Sequence, residues 1–155
     1  MRALALLLLL LPATARAEFA LPQLLGDWSG SGNYARGEAS GMLRCRLAIT
    51  PEGQFRVEVS GRCASAEGAT AVAFVLIPQA DGTIMTESRL DTPPDTRIEA
   101  LRGLPEADRL VLDGSAAGET VELSLWLLEN GNLGFASRHL RYGREDRMQV
   151  ELSPR

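Results

Sequence analysis

Apolar and polar residues alternate with a period of two along most of this chain. Leu43, Cys45, Leu47 and Ile49 are interleaved with Arg44, Arg46 and Ala48. After Pro51-Glu52-Gly53 the alternation resumes, with Phe55, Val57 and Val59 set against Arg56, Glu58 and Ser60. Successive side chains of a strand point to opposite faces, so this pattern predicts a hairpin with one buried and one wet face. Val121, Leu123, Leu125 and Leu127 form a second inward row, and Leu133, Phe135 and Ser137 return beyond Asn130-Gly131. Asp81-Gly82 separates strands expected over 72–77 and 84–90, and Asp113-Gly114 follows a short strand expected over 109–112. Asn-Gly and Asp-Gly suit two-residue primed turns, because both residues tolerate positive φ. Met148, Val150 and Leu152 mark the last strand.

Nothing predicts a long helix. Residues 100–104 have some helical character, but Gly103 and Pro105 cut it short, and Asp91-Thr92-Pro93-Pro94-Asp95 reads as a loop. Eight to ten short strands joined mainly by hairpins predict an all-β fold, either a sandwich or an up-and-down antiparallel β-barrel of about eight strands. The barrel is preferred because sequential hairpins dominate and closure removes exposed edges.

The first seventeen residues change the picture of where this domain works. Met1-Arg2 is a short positive region, 3–11 is an unbroken apolar run, and Ala15-Arg16-Ala17 has the small-x-small pattern of a signal-peptidase site. An apolar core of about ten residues is too short to span a bilayer, which takes about 20. A signal peptide over 1–17 is therefore expected, leaving a single domain over 18–155 with no membrane span, in the periplasm or secreted. No Cys follows the cleavage site, which argues against a lipid anchor. All sixteen basic residues are Arg, against twenty acidic ones, and two of the Arg lie in the leader. That balance attracts neither nucleic acid nor anionic lipid, whose binding rests on clustered positive charge.

Export gives the two cysteines their meaning. In an oxidising compartment a close pair is usually a disulfide, and Cys45 and Cys63 have neither Cys-x-x-Cys spacing nor a nearby His to suggest metal or thiol redox chemistry. The hairpin pattern does not accommodate the bond directly. With the turn centred on Glu52-Gly53, Cys45 faces Val59 and Cys63 lies four residues beyond, too far for a bridge whose Cα atoms sit within about 7 Å. Either Gly61 bends the chain back, or a bulge shifts the register, or the pair is not bonded.

Candidate chemistry is sparse. No phosphate loop, metal cluster or nucleophile elbow is present, so no catalytic residue, metal ligand or cofactor is assigned. His139 is the only histidine and continues the inward row of Ser137. Those two share one strand, so they make no Ser-His-Asp arrangement, which assembles from separate elements. The row Ile84, Thr86, Ser88 and Leu90 is mixed in polarity, and with Ser137 and His139 it suggests one polar side of an internal cavity. Trp28 and Tyr34 complete the set of candidate ligand-binding residues. Glu145-Asp146 and Glu106/Asp108 fall in turns or on wet faces. Arg44, Arg46, Arg56 and Arg62 lie on a wet face interrupted by Glu58. Trp126 alternates out of register with its leucine neighbours and is expected outside, where aromatic residues serve as partner contacts.

Gly26-Asp27-Trp28 resembles the first-strand Gly-x-Trp of the calycin superfamily, which holds lipocalins, avidins and small bacterial metalloprotease inhibitors. The resemblance implies that Trp28 packs at one end of a barrel under an Arg from the last strands, with Arg138, Arg141 and Arg147 as the available partners. The motifs Trp28-Ser-Gly-x-Gly32, Arg44-Cys45-Arg46 and Arg62-Cys63-Ala64-Ser65 are similar to those of small exported proteobacterial proteins of unassigned function. Two function classes follow. One is a non-enzymatic binding protein holding a small or apolar ligand in the barrel mouth. The other is a protein–protein module such as a periplasmic protease inhibitor, in which residues 18–23 would enter the protease cleft.

Cleavage is expected after Ala17. An intact mass of the exported protein that begins at Glu18 supports this, and a mass retaining Met1 refutes it.

Overall fold

Ten strands follow the alternation in a computed structural model that describes residues 19–90 and 98–155. They are β1 (Gly26–Arg36), β2 (Ala39–Glu52), β3 (Arg56–Ser65), β4 (Gly68–Pro78), β5 (Ile84–Ser88), β6 (Arg102–Gly103), β7 (Arg109–Ala116), β8 (Glu119–Leu127), β9 (Leu133–Arg141) and β10 (Arg144–Pro154). Each pairs antiparallel with its neighbours in sequence, and β1 pairs with β10 to close the barrel. This is the up-and-down closed topology expected from the hairpins, with ten strands in place of about eight and no sandwich. The expected signal peptide and the loop at 91–95 lie outside the described residues.

The strand not expected is β6, which falls within residues 100–104 where some helical character was expected, and several turns differ from those the sequence suggested. Asp113-Gly114 does not turn at all, because β7 runs through it to Ala116. The reversal falls at Ala117-Gly118, where both residues have positive φ, and Tyr142-Gly143 reverses β9 into β10 in the same way. These are the primed turns, whereas the Asp-Gly and Asn-Gly pairs expected to form them do something else. At 79–83 and 128–132 only the Gly has positive φ. The Gly N–H bonds the carbonyl three residues back, and the Asp81 or Asn130 side chain accepts from the N–H two residues on. That pattern matches a type I turn followed by a left-handed Gly, with the Asx side chain bonding the backbone locally.

The inward rows meet in one core. Leu43, Cys45, Leu47, Ile49, Val57, Val59, Leu123, Leu125, Leu133, Phe135, Val150 and Leu152 are all buried. Phe55 is the exception among the expected core residues. It lies in the β2–β3 loop and is 70% exposed. That loop spans 53–55, so Glu52 pairs with Arg56 and the hairpin centre sits at Gln54. The shift carries Cys45 opposite Cys63, with Cα atoms 4.1 Å apart and the disulfide formed. Neither a bulge nor a bend at Gly61 is needed, because the hairpin centre at Gln54 lies two residues beyond the position that would set Cys45 against Val59.

One end of the barrel is plugged. A 3-10 turn at Leu21–Leu24 folds under the strands and buries Phe19, Leu21 and Leu24. Trp28 packs there at 6% exposure and donates its indole N–H to the Leu24 carbonyl at 2.9 Å. The Arg partners proposed for Trp28 are absent from this end. Arg138, Arg141 and Arg147 sit on the opposite halves of β9 and β10, since Trp28 pairs with Pro154 whereas Ala35 pairs with Arg147. Trp28 is held instead by its hydrogen bond to the Leu24 carbonyl and by the apolar plug.

On the outside, Arg44, Arg46 and Arg62 are exposed, as expected for a wet face, and Trp126 lies on the outer row of β8. Its ring covers Gly134, where a Cβ would come within 2.0 Å of it, and the Arg109 guanidinium stacks 5.1 Å from its centroid. The barrel is therefore apolar inside and charged outside, the reverse of a membrane-spanning barrel, which turns an apolar band outward. No helix among the described residues is long and apolar enough to cross a membrane.

Trp28→Ala is expected to lower stability by about 3–5 kcal/mol, as core truncations of this size do. Trp126→Ala should cost less, because it empties no core space. Paired urea unfolding curves check the order. Cys45→Ser should cost about 2–5 kcal/mol, the range for a single bridge in a small secreted domain. Thiol labelling of the denatured, unreduced wild type should find no free thiol.

Candidate functional site

The end opposite the plug is open. The strand ends around 36–39, 65–68, 116–119 and 141–144 form its rim, and a cavity of about 370 Å³ enters the barrel there. The size falls within the range of small-molecule sites, about 300–1,000 Å³. Its apolar wall is built by Leu43, Cys63, Val72 and Met148, from β2, β3, β4 and β10. The disulfide thus forms part of the lining. Polar groups come from Ser65, Thr70, Ser137 and His139, and Tyr34 enters from β1 with its ring over Gly41, 3.1 Å from where a Cβ would stand.

Each inward residue owes its place to the period-2 row of its strand. Tyr34 lies six positions beyond Trp28 and so on the same face, at the other end. Gly30 and Gly32 share that face between them, yet they contact no ligand space. A Cβ on either would sit 1.9 Å from a carbonyl of β10, so close backbone approach explains both glycines.

Three of the six candidate ligand residues meet in this mouth: Tyr34, Ser137 and His139. The other three do not. Trp28 belongs to the plug. Thr86 is buried, and its hydroxyl accepts from the Leu101 N–H at 2.8 Å, which ties the irregular stretch before β6 to β5. Ser88 ends β5 on the surface, because the strand stops before the expected row reaches Leu90. The polar side of the cavity is therefore built by β9 with hydroxyls of β3 and β4, and β5 takes no part.

One residue at this end had no place in the sequence-based expectations, and a second, Arg141, was expected in another role. Glu119, at the start of β8, is 3% exposed and faces inward. Its carboxylate lies 2.9 Å from Arg141 Nε and 3.7 Å from His139 Nε2. That His139 nitrogen is buried and has no hydrogen-bond partner. Extending the row Leu125, Leu123, Val121 backward by two positions reaches Glu119, and extending Ser137, His139 forward reaches Arg141. The signal was present but ran across the polar boundary where a hydrophobic pattern stops being counted. Asp146, expected in a turn or on a wet face, stands on the inward row of β10 at the rim and pairs with Arg36 at 3.7 Å. Glu145, its neighbour, faces out, and the hydrogen bond from Arg138 holds its carboxyl below the usual range.

A larger concavity, about 910 Å³, lies outside the barrel over β1, β8, β9 and β10. Gly134 and Ala136 keep its floor low, Trp126 and Met42 are among its lining residues, and Asn33 pairs across strands with Gln149. It is open to solvent and carries exposed polar groups of the ordinary outer face. Among the described residues, no three His, Cys, Asp or Glu side chains group as metal ligands.

No family model matches the chain, and no curated protein matches it. Among solved structures, it is similar to a protein of unknown function of the DUF3598 family from Nostoc punctiforme, with TM-score 0.61 and 14% identity over 94% of this chain. The match covers 54% of that protein, so this chain spans about half its length. The siderocalin Ex-FABP, described as functioning through dual ligand specificities, matches 86% of this chain and 71% of its own at 14% identity, with a TM-score of 0.31. At this identity the first likeness establishes a shared barrel fold and nothing about activity.

Proposed function

We propose that this protein is an exported, non-enzymatic carrier that holds a small, largely apolar ligand in the open end of its calycin-like barrel. The observation that carries this reading is the asymmetry of the interior. One end is sealed by Phe19, Leu24 and Trp28, and the other leaves about 370 Å³ between an apolar wall and a row of polar groups. A pocket of that size, with apolar residues on one side and convergent polar groups on the other, has the dimensions of a small-molecule site. The disulfide supports export, since such bonds persist in oxidising compartments. Binding needs no catalytic group, and none is invoked.

The second reading, a module that docks on another protein, draws support from the outer concavity and from Trp126 within it. In its protease-inhibitor form it meets an obstacle. The segment that would enter a cleft includes Phe19 and Leu21, which are buried in the plug.

Protein recovered from its own compartment is expected to carry a small molecule in native mass spectrometry. After ligand removal it should bind the uncharged dye Nile red. Val72→Phe places a larger side chain on the cavity wall and should weaken dye binding by about tenfold, or about 1.4 kcal/mol, while retaining the cooperative unfolding transition. Unchanged dye affinity in a folded Val72→Phe variant would move the ligand out of the mouth.

A further inference from the structure

We infer that the outer wall of the β2–β3 hairpin docks on an anionic phospholipid surface through Arg44, Arg46 and Arg62. The inference concerns the wall of the barrel and stands apart from whatever the cavity carries. Its basis is the register in which the Cys45–Cys63 bridge lies. A hairpin with Cys45 against Val59 would set Arg46 against Glu58 and pair their charges. In the observed register Arg46 stands directly opposite Arg62, and Glu58 faces Thr50. Directly opposed residues have Cα atoms about 5 Å apart. Arg44 takes the next outward position of β2, so three exposed guanidiniums gather on one patch. The other residues that face them across strands are Ser29, Ser31, Ala64 and Ala71, which are short and uncharged.

Like charges directly opposed on a ladder are destabilising. Two other opposed pairs, Arg138–Arg147 and Arg141–Arg144, each have a carboxylate on one member, Glu145 on Arg138 and Glu119 on Arg141. Arg46 and Arg62 have none, and with Arg44 they form no ion pair among the described residues. The acids nearest on the flanking strands are engaged or turned elsewhere: Asp27 faces Ala48, and Glu151 accepts from Asn130 and Asn132. A single dissolved anion has little to enclose it here, since all three side chains are exposed and none lines the mouth or the outer concavity. A surface bearing many anions engages the three together. Met42, the next outward position beyond Arg44, is 69% exposed and adds an apolar contact, the combination that interfacial segments use. The acidic balance of the whole chain opposes such a surface only at long range. At physiological salt charges beyond about 8 Å are largely screened, so the membrane meets the patch and not the total.

Co-sedimentation of the disulfide-bonded protein with lipid vesicles tests this, comparing phosphatidylglycerol mixed into phosphatidylcholine with phosphatidylcholine alone. The protein is expected to bind the anionic vesicles and not the neutral ones, and to be released as sodium chloride rises. Each basic side chain near an anionic leaflet adds roughly fivefold to partitioning, so Arg46→Gln with Arg62→Gln should lower it by about tenfold or more. Arg102→Gln with Arg138→Gln removes the same charge elsewhere and should change binding little. An equal loss in both double variants refutes the patch, because net charge alone would then govern binding. Binding to both vesicle types alike, or to neither, also overturns the inference, and the second result is the one an acidic protein partner would give. Sodium phosphate releasing the protein far better than sodium chloride at equal ionic strength would mark a free-anion site and overturn the membrane. Urea unfolding supplies the last arm. Relief of the opposed charges should leave the midpoint of the Arg46→Gln/Arg62→Gln variant no lower than wild type, and a clear drop would make these arginines structural and refute their availability for docking.

Discussion

Closure of this barrel depends on how near β1 and β10 can come. At Gly30 and Gly32 a Cβ would lie 1.9 Å from the carbonyl oxygens of Glu151 and Gln149, a distance no side chain can occupy. Two inward-facing glycines therefore let the last strand cross the first closely and complete the ladder from Trp28–Pro154 to Arg36–Asp146. Without that seam the sheet would carry two open edges, which invite pairing with other chains. With it, every inward row faces the others across one core. Opposite the seam the wall is thin, since β6 is two residues long and pairs with β7 at one position. There the Thr86–Leu101 bonds and the packing of Ile98 and Leu101 over Gly114 take over from the regular ladder.

Closure leaves two ends with opposite chemistry. At one end the chain before β1 returns beneath the strands, and an apolar cluster around Trp28 leaves no space. At the other the inward rows turn polar before the strands finish, so Ser137, His139, Arg141 and Glu119 stand where packing residues would otherwise be. Arg141 and His139 face the buried Glu119 carboxylate and offset the cost of its burial.

The disulfide joins these two themes. It bridges directly opposed positions on β2 and β3, holds that hairpin in register, and presents Cys63 to the cavity. The hairpin is braced further by Glu52, whose carboxylate meets Arg56 and Arg89 at 2.9 Å each and so ties the β2–β3 turn to the segment after β5. Exposed pairs of this kind contribute little singly, about 0–1 kcal/mol. Their placement across β4 makes them a brace on register more than a source of stability.

The alternation of side chains by itself determined that the chain is all-β, which faces of β2, β3, β8, β9 and β10 point inward, that Trp126 is outside, and that Ser137 and His139 share one inward row, while the burial of Trp28 was implied by a resemblance and not by the alternation. Those features follow from a period of two within single strands, which is a local property of extended backbone. Strand count, register and the cavity are not local. Whether Asp113-Gly114 turns or Ala117-Gly118 does depends on which ladder partners each residue meets, and only β8 and β6 decide that. The pairing of Cys45 with Cys63 hinges on loop placement, because a shift of one position in a turn moves every opposing partner by two. Glu119 and Arg141 became part of the mouth because two hairpins bring the ends of separate inward rows together, and the desolvation of that carboxylate is a property of the closed barrel alone.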